Sequence, residues 1–389
     1  MFSARFKWNL ETNQLAKLME EKKRAGVQLL DLTESNPTRC GFDYPATEFL
    51  SALSQSGVIR YDPNPRGLLT ARQAVADYYQ TRQQMIDPAQ IFLTASTSEA
   101  YAWLFKLLTD PGDEILVPQP SYPLFEFLAA LEGVELQPYQ LDYLHPRGWR
   151  MNFDSLAQAV TPRTRAVILV NPNNPTGSYL KQSESAQLAA FCRRHNLALI
   201  VDEVFSDYAL LDDTDHVTAF EDVSELTFVL NGFSKLLALP QMKLGWIVVQ
   251  GATDLRRAAE ARLELIADTF LSVNTPVQWA APGWLQLRHQ VQREIRARVQ
   301  ANLAFLATAA ANSACRLLKL EGGWSATLEI PRRASEEELI LALLADDNVL
   351  VHPGYFFDFA REAYLVLSLL PPPVLFQAAV ARLFARLDY

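Results

Sequence analysis

Six largely apolar runs recur between stretches of helical pattern: Ile91-Phe92-Leu93-Thr94, Glu114-Ile115-Leu116-Val117, Ala166-Val167-Ile168-Leu169-Val170, Ala198-Leu199-Ile200-Val201, Leu226-Thr227-Phe228-Val229-Leu230 and Leu244-Gly245-Trp246-Ile247-Val248-Val249. Their hydrophobicity is continuous rather than alternating, which predicts strands covered on both faces. Helices fit the intervals, as over 98–108 and 183–196. The chain is therefore expected to be α/β, with a mostly parallel sheet between helices over roughly residues 50–270.

The rest of the chain reads differently. Residues 279–313 predict one long helix, and 324–330, 349–352 and 364–369 short strands. The final segment carries Val374, Phe376, Val380, Leu383, Phe384 and Leu387 near helical spacing. This is a smaller α+β domain. A helix over 10–25, whose Glu-Lys-Lys-Arg run is a solvated face, precedes everything and is expected to dock on a remote part of the fold. At 389 residues the chain exceeds one simple core. We divide it into an arm (1–45) joining the small domain, a large domain (46–275) and a small C-terminal domain (276–389).

Charge excludes some functions. With 35 Lys+Arg against 44 Asp+Glu the net charge is −9, which argues against a nucleic-acid or anionic-membrane surface. Cys40, Cys192 and Cys315 lie far apart and are odd in number, so no disulfide framework or zinc spacing arises, and a reducing cytoplasm is expected. Met1 to Leu10 lacks the apolar core of a secretory signal. Leu365 to Phe376 is interrupted by Pro371, Pro372 and Pro373, so no membrane span is expected. The five histidines show no ligand spacing, and no metal site is predicted.

Open α/β sheets bind ligands beyond the carboxyl ends of their strands. After Ile91-Phe92-Leu93 comes Thr94-Ala95-Ser96-Thr97-Ser98-Glu99-Ala100 and then a helix. Small hydroxyl residues at a helix N-terminus supply donors and the positive dipole end, a phosphate cradle. The same residues also fit ordinary N-capping. After Val170, Asn171-Pro172-Asn173-Asn174-Pro175-Thr176-Gly177 dictates a rigid turn from which Asn174 can donate to a phenolate-like oxygen. After Val201 come Asp202-Glu203-Val204-Phe205. A carboxylate ending a buried strand needs a cation to stay ionised, and a protonated pyridine nitrogen would serve; a simple helix cap is the other reading.

Leu230-Asn231-Gly232-Phe233-Ser234-Lys235-Leu236 puts a lysine at the mouth of the sheet. An ammonium there loses hydration. Partial desolvation lowers its pKa and makes it a nucleophile towards aldehydes. Alone, the segment fits a solvated loop lysine equally well.

Asn-x-Pro-Thr-Gly at 173–177, then Asp202, then Ser234-Lys235, in this order and spacing, resemble the fold-type I pyridoxal-phosphate enzymes and, within them, the class I/II aminotransferases. The resemblance runs through nearly the whole chain. It implies an aspartate aminotransferase-like fold, with a mostly parallel seven-stranded sheet and a smaller α+β domain, and pyridoxal 5'-phosphate as cofactor. By the same likeness Lys235 forms the internal aldimine and shuttles the proton, Asp202 pairs the pyridine nitrogen, and Asn174 bonds the ring oxygen. Tyr122 stacks on the ring, while Thr97, Ser98, Ser234 and Lys243 hold the phosphate. Tyr61 matches the tyrosine that reaches a neighbouring subunit's phosphate, which implies a homodimer with shared sites.

Four positions depart from the pattern. Lys243 stands where relatives have arginine and offers a point charge without the bidentate fork. Gly232 stands where a phosphate-binding serine is common, and Phe205 where a tyrosine donates to the ring oxygen. Val366, in Tyr364-Leu365-Val366-Leu367-Ser368, replaces the arginine that forks the substrate carboxylate. That contact is worth about 2 to 4 kcal/mol. Arg39, Asn36 and Arg66, in segments bordering the site in relatives, are the substitutes the sequence offers.

The expected function is transfer of an amino group between an amino donor and a 2-oxo acid. A lyase on the same scaffold, by β-elimination or decarboxylation, is the alternative enzyme reading, because the missing anchor helps to decide which bond breaks. A silent cofactor-binding regulator is a third, against which stand Lys235, Asp202, Asn174 and the lack of a basic arm.

Overall fold

A computed structural model describes residues 2, 3, 5, 11–211, 213–217 and 226–387. Its main sheet comprises β1 (Ile91–Thr94), β2 (Glu114–Gln119), β3 (Glu135–Leu144), β4 (Gly148–Met151), β5 (Thr164–Val170), β6 (Ala198–Asp202), β7 (Leu226–Gly232) and β8 (Gly245–Gly251). They lie in the order β1-β8-β7-β6-β5-β2-β3-β4. The β2, β3, β5, β6 and β7 pairings are parallel, whereas β8 runs antiparallel to both neighbours and β4 antiparallel to β3.

The sheet thus has eight strands where seven were expected. Six of them are the apolar runs, and the other two form the β3–β4 hairpin at the edge, with Leu141 opposite Met151 and Leu144 opposite Gly148. β3 is mostly half-exposed. It carries no continuous apolar run, which is why the sequence pattern passes over it.

The inner strands are buried on both faces, as continuous hydrophobicity requires. Val167, Leu169, Leu199 and Val201 join one core, and Ala166, Ile168, Ala198 and Ile200 join the other. At the end of β7 the backbone comes close to β8. A Cβ on Gly232 would lie 2.9 Å from Gly245 Cα and from Leu244 O. The absence of serine here is therefore a packing requirement. Gly232→Ser is expected to cost about 1–3 kcal/mol as an overpacking strain, read as a lower urea midpoint with an unchanged slope.

The smaller sheet joins β9 (Arg316–Leu317), β10 (Ser325–Glu329), β11 (His352–Pro353) and β12 (Tyr364–Ser368) in the antiparallel order β9-β10-β12-β11. The helix Thr275–Ala311 packs on both Leu69–Gln80 and Pro373–Leu387, and its buried apolar residues join the core of Val167 and Leu199. The first helix spans Gln14–Arg24, and residue 10, where the sequence reading begins it, lies outside the described residues. It docks remotely, on Glu336–Asp347, with Lys22 Nζ 2.6 Å from Asn348 Oδ1. Leu30–Asp31 then pairs parallel with Val349–Leu350.

One buried cluster ties the two parts together. Lys181 Nζ donates to Glu321, whose other oxygen lies 3.1 Å from Lys319 Nζ. Glu321 also accepts from the Tyr179 amide (2.9 Å), and the Gly322 and Gly323 amides donate to Gly177 O (2.9 Å) and Tyr208 O (3.0 Å). These bonds fix the approach to Trp324. Lys181→Met leaves a buried carboxylate that keeps Lys319 at 3.1 Å, His216 Nε2 at 3.6 Å and the Tyr179 amide, but loses its buried ammonium partner. Because Lys319 offsets part of the loss, a cost near the low end for broken buried pairs, about 3 kcal/mol, is expected in thermal or urea unfolding.

Candidate active site

The carboxyl ends of β1, β5, β6 and β7 open on one cavity of about 300 Å³ that the small domain closes from the other side. β6 ends on Asp202, which is buried and sits between Val170 and Leu230 on the adjacent strands. Its Oδ2 accepts from Tyr101 Oη (2.9 Å) and its Oδ1 from the Val204 amide (3.1 Å). Burial pushes its carboxyl up to about 6, although those two donors and the Lys235 charge pull the other way.

Lys235 follows β7 in the short helix Phe233–Leu236. Its carbonyl accepts from Tyr208 Oη (2.8 Å) and from the Ala238 amide (3.1 Å), which pins the backbone. Its Nζ lies 5.4 Å from the Phe205 ring centre and 5.1 Å from that of Trp324. Burial brings the ammonium down to about 8, opposed by Asp202. The two groups share the cavity without forming an ion pair, so each remains available to a molecule placed between them.

The turn after β5 is built by its other asparagines. Asn171 Nδ2 donates to Val217 O (2.8 Å) and its Oδ1 accepts from the Leu180 amide (2.7 Å). Asn173 Oδ1 accepts from Thr176 Oγ1 (2.8 Å). Asn174 is left on the cavity wall. After β1, Ser96 caps the helix Thr97–Leu108 by accepting from the Glu99 amide (3.2 Å). The first-turn amides of such a helix have no intrahelical acceptor, and Thr97 lines the cavity.

The structure therefore brings Thr97, Tyr122, Asn174, Asp202, Ser234 and Lys235 to one wall. Ser98 lies beside Thr97 in the same turn but off that wall. The other predicted residues lie elsewhere. Lys243 is exposed, with φ +50°, after the turn Pro240–Met242. Arg66 is held by Glu264 at 2.8 Å, with its guanidinium 4.7 Å over the Phe92 ring. Arg39 is exposed and faces Glu34 at 3.9 Å, and the Asn36 side chain caps its own turn through the Thr38 amide (3.1 Å). Lys243, Arg66, Arg39 and Asn36, expected to bind cofactor or substrate, do not line this cavity; each faces solvent or a local partner. Tyr61 is 77% exposed and borders a separate surface cleft.

Residues that the sequence reading missed complete the wall. Tyr101 follows Thr97 by four residues, and that spacing puts both on one helix face, so it was legible. Trp324, His352 and Phe357 come from the small domain, where no local motif announces them. Phe205 packs edge-on to Trp324, with centroids 5.3 Å apart. It builds an aromatic lid beside Lys235.

A mixed, mostly parallel sheet with a half-buried lysine and a buried aspartate at adjacent strand ends, closed by a small α+β domain, defines the architecture of fold-type I proteins. The model for aminotransferase class I and II matches residues 18–375, and the chain belongs to that family. It is 30% identical over 267 residues to glutamate-pyruvate aminotransferase AlaA of Escherichia coli K12, a match spanning 68% of this chain and 64% of that protein, under two thirds of its length. It is 28% identical over 379 residues to alanine aminotransferase of Mycobacterium tuberculosis H37Rv, covering 92% and 85%. Among solved structures, alanine aminotransferase from Pyrococcus furiosus superposes with a TM-score of 0.89 at 22% identity, covering 100% and 99%, a likeness of fold.

Proposed function

We propose that this chain is a pyridoxal-phosphate-dependent aminotransferase that moves an amino group between an amino donor and a 2-oxo acid. The observation that carries the reading is the pair Lys235 and Asp202, which line one cavity, the first half-buried and the second buried, and are shifted in opposite directions. The residues suit the cofactor. A carboxylate buried without an ion-pair partner fits a protonated ring nitrogen, and a desolvated amine fits an aldehyde.

Pyridoxal phosphate, when bound, supplies the electron sink for the pair left when the donor's Cα–H bond breaks. Asp202 holds positive charge on the ring nitrogen, and Tyr101 and the Val204 amide hold Asp202 in place. Asn174 donates to the ring oxygen. Thr97 and Ser234 on the cavity wall, with the first-turn amides of the helix that Ser98 shares, would hold the phosphate. Tyr122 covers a ring face, as the family likeness suggests. Lys235 would be the base for the donor's Cα proton; burial brings its amine down to about 8, which leaves free base at neutral pH. Phe205 and Trp324 screen that amine from water.

The reading extends to a homodimer with shared sites, supported by the exposure of Tyr61. It also extends to a cytoplasmic location, supported by the buried free thiols of Cys40 and Cys192. No helix among the described residues is long and apolar enough to cross a membrane.

The test is a panel of half-reactions with amino acids and amines. Conversion of the bound cofactor to its amine form, with release of the matching 2-oxo acid, supports transamination. Release of ammonia without that conversion gives the lyase reading instead.

A further inference from the structure

The small-domain wall of the cavity contains a polar group that neither the family pattern nor the residues above account for. Antiparallel pairing places His352 beside Val366, and Val366 beside Thr327. Ser368, two residues along, shares the face of Val366 and sits opposite Ser325. His352, Val366, Ser368 and Ser325 all line the cavity. Val366 offers only methyl groups. The Ser368 hydroxyl is committed, donating to Glu34 O (2.6 Å) and accepting from the Leu370 amide (3.3 Å).

His352 is different. Its ring stands edge-on to Phe356 and Phe357, with centroids at 5.6 and 5.7 Å and interplanar angles of 84°. Its nitrogens make no hydrogen bond among the described residues. No arginine lines the cavity among the described residues, and Lys235 is its one lysine.

We propose that His352 recognises the polar group attached to the substrate's reacting carbon, by a hydrogen bond from its imidazole, and that the site therefore accepts amino-acid amides nearly as well as the acids. The proposal rests on the transaminase reading and specifies which donors that site takes. Burial lowers the imidazole pKa against the opposing charge of Asp31, so the ring is uncharged near neutral pH. A neutral N–H donor separates a carboxamide oxygen from a carboxylate oxygen only by the extra strength of one charge-assisted hydrogen bond, on the order of 1 kcal/mol. A guanidinium fork favours the carboxylate through charge and bidentate fit. The rigid aromatic packing fixes where that N–H points, so selection there is by position.

The experiment compares L-alanine with L-alaninamide, and L-phenylalanine with L-phenylalaninamide, as donors to the cofactor-loaded protein. Wild-type protein is expected to show kcat/KM values for acid and amide within about tenfold, the scale of one neutral hydrogen bond. His352→Leu should raise KM about tenfold for acid and amide alike, with kcat changed far less. His352→Gln, which restores a donor, should recover most of the loss and serves as the check if the leucine variant folds poorly. Val366→Arg should shift preference towards the acid by about 30-fold or more. Rejection of the amide by a hundredfold in wild type, or an unchanged KM in His352→Leu, overturns the role of His352 while leaving transamination intact. Failure to turn over either acid or amide, together with failure across the half-reaction panel, overturns the transaminase reading and this proposal with it.

Discussion

Lys235→Ala is expected to lower the half-reaction rate by about 10²–10⁴-fold through loss of the proton-transfer group alone, the range for a positioned general base. The covalent attachment is lost in addition. The size of the effect follows from the surroundings of the amine. The Phe205 and Trp324 rings lie 5.4 and 5.1 Å from it, the Asp202 charge acts on it, and no other lysine lines the cavity among the described residues. No neighbouring amine stands ready to replace it. Lys235→Arg should fare no better, because a guanidinium stays protonated and cannot act as a base. Single-turnover rates with saturating donor check both variants. An added small primary amine should restore part of the rate to the alanine variant, since the space vacated is an enclosed one that such an amine fits.

Asp202→Asn is expected to give the second large effect, a loss of about 10²–10³-fold in kcat, comparable to removing one preorganised charge-stabilising group. The carboxamide keeps the shape, and it can still accept from the Val204 amide, but it cannot hold positive charge on the ring nitrogen. Stability should move the other way. With its carboxyl raised from about 3.8 to about 6, the folded cofactor-free protein binds more protons than the unfolded chain between those values. Stability therefore falls as pH rises through that window, and at neutral pH the buried carboxylate costs about 3 kcal/mol. The cofactor-free Asp202→Asn protein should melt higher than wild type at pH 7 and at the same temperature near pH 4. Together, slower catalysis and a more stable empty protein identify a group held in place for its charge. A variant that is slower and also less stable would assign Asp202 to packing.

The parts of the site that the sequence reveals are those carried by strand ends. A strand end, a turn and a helix start are local, and Thr97, Asn174, Asp202 and Lys235 each sit in such a segment. Their order along the chain then fixes how adjacent strands present them. What came from distant elements was less legible. Trp324 reaches Lys235 only because Glu321, Gly322 and Gly323 are bonded to the 177–181 and 208–210 segments. His352 faces the cavity because β11 pairs with β12 in one register. A one-residue slip would turn it away. Charge without geometry misled in the other direction. Arg66 and Lys243 lie in matching segments, yet one is spent on Glu264 and the other turns to solvent through a left-handed backbone. Gly232 resembled a lost phosphate ligand, and in three dimensions it is the only residue that the β7–β8 approach admits.

The departures share a direction. Phe205 for a hydroxyl, Val366 for a guanidinium and Gly232 for a serine each remove a polar group from the region around the cavity. The Lys235–Asp202 pair is retained. The surroundings of the Lys235 amine are apolar, with Trp324 and Phe205 packed edge-on to each other beside it. Such a pocket suits donors held by shape and single hydrogen bonds more than by paired charges.

The central claim is that Lys235 bears the cofactor. Borohydride reduction of the protein loaded with pyridoxal phosphate, followed by proteolysis and mass spectrometry, tests it directly. One modified peptide is expected, with the pyridoxyl group on Lys235 and a loss of yellow colour in step with labelling. Label on another lysine, or a protein that takes up no cofactor and stays unlabelled, would contradict it.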